Sequence, residues 1–309
     1  MVATGTPDCS ISSRMVKLTV SGPGSSGPAA EAGPGLMATF VVTDSSACLP
    51  SRVARRLPVR VVPIGIVFGR GPDARDDTVD PERVHRALAQ HQPVKSVPPS
   101  VLDYVAAIEA GPPGDHVLVL TPATDFTIMC RTARLAAGLT DRQVDVVDTR
   151  TAASAQGLVV EVAARAAAAG AEPAAVLEAT HDAVRRARLI AALETLDALE
   201  EGGLVPSPSL EAARRGGASP MFAFRDGAVE AIGHDEQGDL AGALVEEWER
   251  RGGREGSAAT VFHAGAIGPA RQLRNALGTA VAAPARFSPA MTLHTGVGLV
   301  GIAWLSAPA

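Results

Sequence analysis

Short apolar runs alternate with helix-patterned segments from residue 37 onward, and this alternation limits the possible fold more than any single motif does. Phe40-Val-Val reads as a strand that stops in Thr43-Asp44-Ser45-Ser46, followed by a helix-like Ser51–Leu57 and the apolar run Val59–Phe68. Asp80 is placed to cap a helix reaching Ala89, with Pro81 at its first position, where a missing N–H costs nothing. Pro99-Ser100 starts a further helix over Val101–Glu109. His116–Thr121 reads as a buried strand, Thr127–Ala137 as a helix and Val144–Asp148 as the next strand. Repetition of this kind predicts a parallel, doubly wound sheet, and such sheets hold ligands at their carboxyl edge.

The second half continues the alternation with a different accent. An alanine-rich helix is expected from Ala153 to about Gly170, a second over Pro173–Arg188, then Leu189–Leu193, a helical Leu196–Glu201 and a break at Gly202-Gly203. Within Met221–Ile232 the pair Asp226-Gly227 separates two strand-like runs and supplies the positive φ angles of a tight turn, so a β-hairpin is expected. Gly238–Arg251 reads as a helix, Ala259–His263 as a strand, Pro269–Leu277 as a helix, and apolar Gly298–Leu305 follows. The expected architecture is two α/β domains. Residues 37–155 form the parallel N-terminal domain with the ligand site, and 156–309 a mixed-sheet C-terminal domain. Residues 1–36, rich in Ser, Gly and Pro, have too few apolar groups to offset ordering entropy and are expected to be a disordered tail.

Composition narrows the partners. The 309 residues are 46% apolar, enough for two ordinary cores, and only 3% aromatic, so a pocket is expected to have aliphatic rather than stacking walls. That argues against single-stranded nucleic acid, and the net charge of −5 argues against any phosphate backbone. Cys9, Cys48 and Cys130 show neither metal-ligand spacing nor a disulfide rhythm. The seven histidines lack the i, i+4 pairing of a zinc site, so neither metal nor cofactor is expected. No apolar stretch reaches the roughly 18 to 20 residues that cross a bilayer, and the N-terminus lacks the apolar core of a signal peptide. A cytoplasmic chain without stable membrane insertion is expected.

Candidate functional groups cluster at strand ends. Ser45 and Ser46 follow the first strand, Ser96 sits in Lys95–Ser100, and Thr121 and Thr124 follow His116–Leu120. Each alone also reads as a turn or capping group, but three such ends on one sheet edge suit a carboxylate or phosphate. His294-Thr-Gly296-Val-Gly298 is a further candidate, because its glycines let backbone approach a ligand; it also reads as a helix start. Asp44 is placed either to act as a base or to orient neighbouring N–H groups. No phosphate-cradling loop and no Gly-x-Ser-x-Gly elbow occurs.

The order of these features resembles the DegV family of fatty acid-binding proteins. Val41-Val-Thr-Asp44-Ser45-Ser46-Ala47-Cys-Leu-Pro50 is similar to the family's Val-Thr-Asp-Ser-Thr-Ala-Asp-Leu-Pro, and Val62-Pro63-Ile64 to the Val-Pro-Leu that follows it. Val146-Val-Asp148-Thr149 with Ala153 and Gly157, Leu196 and Leu199 before Gly202-Gly203, Phe262–Gly265 and His294–Gly298 also match family elements. The resemblance implies two domains clasping one long-chain fatty acid in a tunnel, with the carboxylate on hydroxyls of the first domain. Carried over, it places Ser96 and Thr124 on the head group, supported by Ser45, Asp44, Thr127, His294 and Gly296, and implies a fatty acid kinase as partner. The alternative kept open is a hydrolase or phosphoryl-transfer enzyme using Asp44 and His294; a third reading is a pure interaction protein.

The chain also departs from the family pattern. Thr-Ser-Gln-Pro becomes Ser96-Val97-Pro98-Pro99, and Gly-Thr-Tyr after the third strand end becomes Ile128-Met129-Cys130. The Arg after Gly-Gly is Leu204, and the Lys before Pro is Ser219. Two cations suited to an acyl phosphate are thereby lost.

Overall fold

The computed structural model describes residues 37–193, 219–225, 227–235, 238–256, 258–278 and 281–308. The expected tail and the expected helix at Leu196–Glu201 lie outside them. The first half supplies β1 (Thr39–Asp44), α1 (Ser51–Arg56), β2 (Val59–Val62), β3 (Gly65–Phe68), β4 (Ala74–Arg75), α2 (Pro81–Ala89), β5 (Val94–Val97), α3 (Val101–Glu109), β6 (His116–Thr121), α4 (Met129–Ala137) and β7 (Val144–Asp148). β2, β1, β6 and β7 pair in that order as a four-stranded parallel sheet. Alternation along its strands sends apolar side chains to both faces, as a sheet covered on both sides requires. Val42, Val117 and Val119 pack on Tyr104 and Ile108 of α3 and Ala133 of α4. Val41, Leu118 and Leu120 face the other way.

That other face is covered by α5 (Ala153–Ala168) and α6 (Pro173–Arg186), through Val160, Ala163 and Val176. Helices on both faces make the sheet doubly wound. The apolar run Val59–Phe68 divides between two sheets, because Pro63 has no N–H with which to continue the ladder. β3 instead joins β4 and β5 in a small antiparallel sheet, order β4-β3-β5.

The second half adds β8 (Ala187–Ala192), β9 (Pro220–Arg225), β10 (Ala228–His234), α7 (Leu240–Arg250), β11 (Ala258–His263), α8 (Ile267–Leu277), β12 (Ala282–Arg286), α9 (Pro289–Thr295) and β13 (Val300–Leu305). Its six-stranded sheet runs β10-β9-β8-β13-β11-β12, parallel only at β11–β12. The expected hairpin is β9–β10, with Gly227 at φ +86° in its turn. Arg188, expected at a helix end, lies in β8. On one face Ile190, Val261 and Ile302 meet Leu244 and Trp248 of α7 and Leu273 of α8.

α5 joins the two sheets, packing against β1, β8 and β13. Its Gly157 sits where a Cβ would stand 2.5 Å from the carbonyl oxygen of Ala47. The helix reaches the end of β1 only because that position has no side chain.

Candidate functional site

The parallel sheet splits its crossovers at β1, which pairs with β2 on one side and β6 on the other. In such sheets the crevice at the carboxyl ends of the split pair is where ligands bind. A cavity of about 260 Å³ opens there, lined by strands of the six-stranded sheet, by Ser96 of the small sheet and by segments that follow the parallel strands, such as Ser46 and Pro122. Leu189, Ala191 and Leu193, alternate residues of β8 and the position after it, form one wall. At about 3.4 Å per residue these three span about 14 Å. Phe224 pairs with Leu189, and Val300 of β13 pairs with Ala192. The register thus puts Phe224 at one end of the wall and Leu299, just before β13, at the other.

Five phenylalanines line the space: Phe126, Phe222, Phe224, Phe262 and Phe287. The aliphatic pocket expected from composition is therefore corrected to a substantially aromatic one, since five of the chain's seven phenylalanines gather here. Phe126 stacks on Phe224 with centroids 4.6 Å apart, and Phe262 on Phe287 at 5.3 Å. These contacts hold large rings in fixed places and leave the space between them open.

Polar groups are few: Ser46, Ser96, Thr127, His294 and Thr295. Ser46 follows β1, Ser96 lies on β5, Thr127 precedes α4, and His294 and Thr295 end α9. Ser96 Oγ and His294 Nε2 are 3.0 Å apart. His294 stands in the last turn of α9 rather than at a helix start, because Ser288 caps the helix and Pro289 begins it. Burial holds its imidazole below the ordinary histidine range, which favours the neutral ring.

Behind Ser46 lies a fully buried polar network. Asp44 accepts from the backbone N–H of Ser46 at 3.0 Å, from the Ser46 hydroxyl, and from the Tyr104 hydroxyl at 3.3 Å. Gln156 Oε1 is 2.8 Å from Ser46 Oγ, and Gln156 Nε2 donates to Thr43 Oγ1, which donates to the Leu120 carbonyl. Desolvation pushes the Asp44 carboxyl up to about 6, against the opposing pull of the hydrogen bonds from Ser46, Gln156 and Tyr104.

Of the residues singled out in the sequence, Ser46, Ser96, Thr127 and His294 meet at the cavity. Asp44 stands behind Ser46 and is not in the lining. Ser45 Oγ accepts from the backbone N–H of Ile64 at 3.0 Å, which ties the β1 turn to the small sheet. Thr124 is exposed, and its hydroxyl donates to Asp148 Oδ2 at 2.5 Å, away from the lining. Gly296 closes α9 with φ +76°. Thr295, which nothing in the local pattern set apart from its neighbours His294 and Gly296, completes the polar group. Among the described residues no three His, Cys, Asp or Glu side chains are grouped to hold a metal, and no helix is long and apolar enough to cross a membrane.

Residues 38–307 match the model of a family described as "Uncharacterised protein, DegV family". A DegV domain-containing protein of Mycobacterium bovis is 28% identical over 273 residues, covering 86% of this chain and 96% of that one. Among solved structures, a DegV family protein from Thermus thermophilus described by its fatty acid binding superposes with a TM-score of 0.78 at 26% identity, covering 87% of this chain and all of that one. The DegV protein of Bacillus subtilis, at 20% identity and a TM-score of 0.75 over 87% of this chain and 99% of that one, shares the fold.

Proposed function

The chain belongs to the DegV family, and from that premise together with its apolar, polar-ended cavity we propose that it binds one long-chain fatty acid and catalyses no reaction. The observation that carries the reading is the cavity between the sheets, apolar along its length with its hydroxyls and imidazole confined to a few positions. The Thermus relative of the same fold, which is described as binding fatty acid, supports it. Burial of about 14 methylenes at about 0.8 kcal/mol each is a gross gain on the order of 11 kcal/mol, and a closed apolar space is what can collect it.

In this reading Ser96, Thr127, His294 and Ser46 meet the carboxyl group. Thr124 holds its loop through Asp148, Ser45 and Gly296 shape the turns around the site, and Asp44 orients Ser46. Residues 37–155 and 156–309 act as the two domains that clasp the chain. The position of Asp44 behind Ser46, rather than in the cavity wall, weighs against its use as a base on a bound substrate. A cytoplasmic carrier follows from the same reading. Ser219 stands where the family carries a Lys, and Leu204, which lies outside the described residues, where it carries an Arg. We therefore take the protein to be a poor donor of acid to a fatty acid kinase.

Purification followed by organic extraction and mass spectrometry tests the reading. Close to one equivalent of a saturated or unsaturated long-chain acid per protein is expected. Protein that comes out empty and takes up no hexadecanoic acid on titration would overturn it.

A further inference from the structure

The head-group end of the cavity presents neutral groups, and the hydroxyl protons of Ser46 and Thr295 are already engaged. Ser46 has one hydroxyl proton, and the acceptors around it are Asp44 Oδ1 and Gln156 Oε1, both on the protein side. Thr295 Oγ1 donates to the Gly296 carbonyl at 3.2 Å. Ser96 shares a single hydrogen bond with the Nε2 of His294. No lysine or arginine is among the described residues that line the cavity. A carboxylate placed here would leave water, find no opposing charge in that lining, and stand one hydroxyl away from the buried carboxyl of Asp44.

Resting on the fatty-acid reading above, we propose that this cavity takes its ligand as the neutral, protonated carboxylic acid, and that uncharged long-chain head groups such as primary alcohols belong to the same ligand class. The acid brings one O–H donor and one C=O acceptor. The O–H matches lone pairs left on Ser46 or Ser96, and the C=O can accept from Thr127 Oγ1, which has no hydrogen bond to another described residue. On binding from neutral solution the carboxylate takes one proton from water, and it returns that proton on release.

Among the described residues, the titratable groups around this end do not supply the missing positive charge. His294, from α9, is held toward its neutral form by burial. Tyr104, from α3, is raised well above its ordinary value by burial and stays neutral, and the Cys48 thiol is pushed up to about 12 by the same cause. Asp76, after β4, is raised by desolvation and adds acid character rather than a cation. Asp125, in the loop before α4, and Lys95, beside Ser96 on β5, are both exposed. Residues 194–218, outside the described set, contain Glu194, Asp197, Glu200, Glu201 and Glu211 against Arg214 and Arg215.

The test is carbon-13 NMR of carboxyl-labelled hexadecanoic acid bound to the full chain, followed from pH 5 to pH 9, beside a calorimetric titration with hexadecanol. Free carboxyl groups ionise at about 4 to 5. The bound resonance is expected to stay at the protonated shift at pH 7 and to titrate at about pH 8 or above, at least three pH units above the free acid, and hexadecanol is expected to bind within about tenfold of the acid. A bound resonance at the ionised shift at pH 7 would overturn the inference while leaving the fatty-acid reading intact. If neither hexadecanoic acid nor hexadecanol binds at any pH, the fatty-acid reading falls and this inference falls with it.

Discussion

Asp44 shows what a single buried carboxyl does in this fold. It is fully buried, receives hydrogen bonds from Ser46 and Tyr104, and still has its proton affinity raised, to about 6, because desolvation outweighs those bonds. A folded-state value above the unfolded one means that the proton binds the native form more tightly. The contribution of Asp44 therefore favours the fold below about pH 4 and is lost as pH rises through about 6, a swing on the order of 2 to 3 kcal/mol. Asp44→Asn keeps the shape and removes the titration. Urea unfolding of the lipid-free protein at pH 4.5 and pH 7.5 should show the variant gaining on the native chain by about that amount at the higher pH. A difference between the two proteins that does not change with pH would show that the carboxyl is not burdened in this way. At this scale the sequence was informative about which residue types end the strands, and less so about what they touch. Ser96, Thr127 and His294 reach one cavity as their places at strand and helix ends suggested, yet Thr124 turns to Asp148, a partner 24 positions away that local pattern cannot reveal. The gathering of five phenylalanines was hidden by an average, since a low aromatic content says nothing about where the rings collect.

Among the elements, the parallel strands could be read directly, because a strand covered on both faces is an unbroken apolar run, as in His116–Thr121. The small sheet could not. Its strands have two to four residues, and β3 continues the same apolar run as β2 across Pro63, so only the absent N–H marks the division. His294 was open to reading as a helix start, and not as the end of α9, for a related reason: glycines suggest a boundary without saying which boundary, and Ser288-Pro289 upstream decides it. α5 holds the most sensitive contact between elements. A methyl group on Gly157 would meet the backbone oxygen of Ala47 at 2.5 Å, and a main-chain carbonyl cannot swing aside as a flexible side chain would. Against that, alanine gains up to about 1 kcal/mol in helix propensity. Overpacking of this kind costs about 1 to 3 kcal/mol, so Gly157→Ala is expected to lower the free energy of unfolding by a net of about 1 kcal/mol and the midpoint of chemical unfolding with it. It should also weaken fatty acid binding, because the helix that shifts carries Ala153 in the cavity wall and Gln156 behind Ser46. An unchanged or raised midpoint would mean that the helix relaxes without cost.

For the molecule as a whole, the cavity is a deliberate weakness. Packed interiors lose stability with every unfilled volume, by about 24 cal/mol for each Å³ in one measured series, yet here an open space lies between two sheets that otherwise bury their apolar faces well. A ligand that binds only the folded state offsets that loss in proportion to its concentration over its dissociation constant. Ala191 tests the exchange. It lies on β8 facing the cavity, paired with Gly301 on one side and Phe222 on the other, so a larger side chain at this position projects into the open space rather than into packed core. Ala191→Phe should cost the empty protein little, because the ring fills a void, and should block the middle of the path a long chain must follow. The expected result is a thermal midpoint of the lipid-free variant within a few degrees of the native protein, together with loss of the upward shift that hexadecanoic acid gives the native chain. Retention of that shift would place the ligand elsewhere. A collapse of the lipid-free midpoint would show that the space near Ala191 is narrower than its lining indicates, and Ala191→Leu, which adds less bulk, would then separate blocked binding from damaged folding.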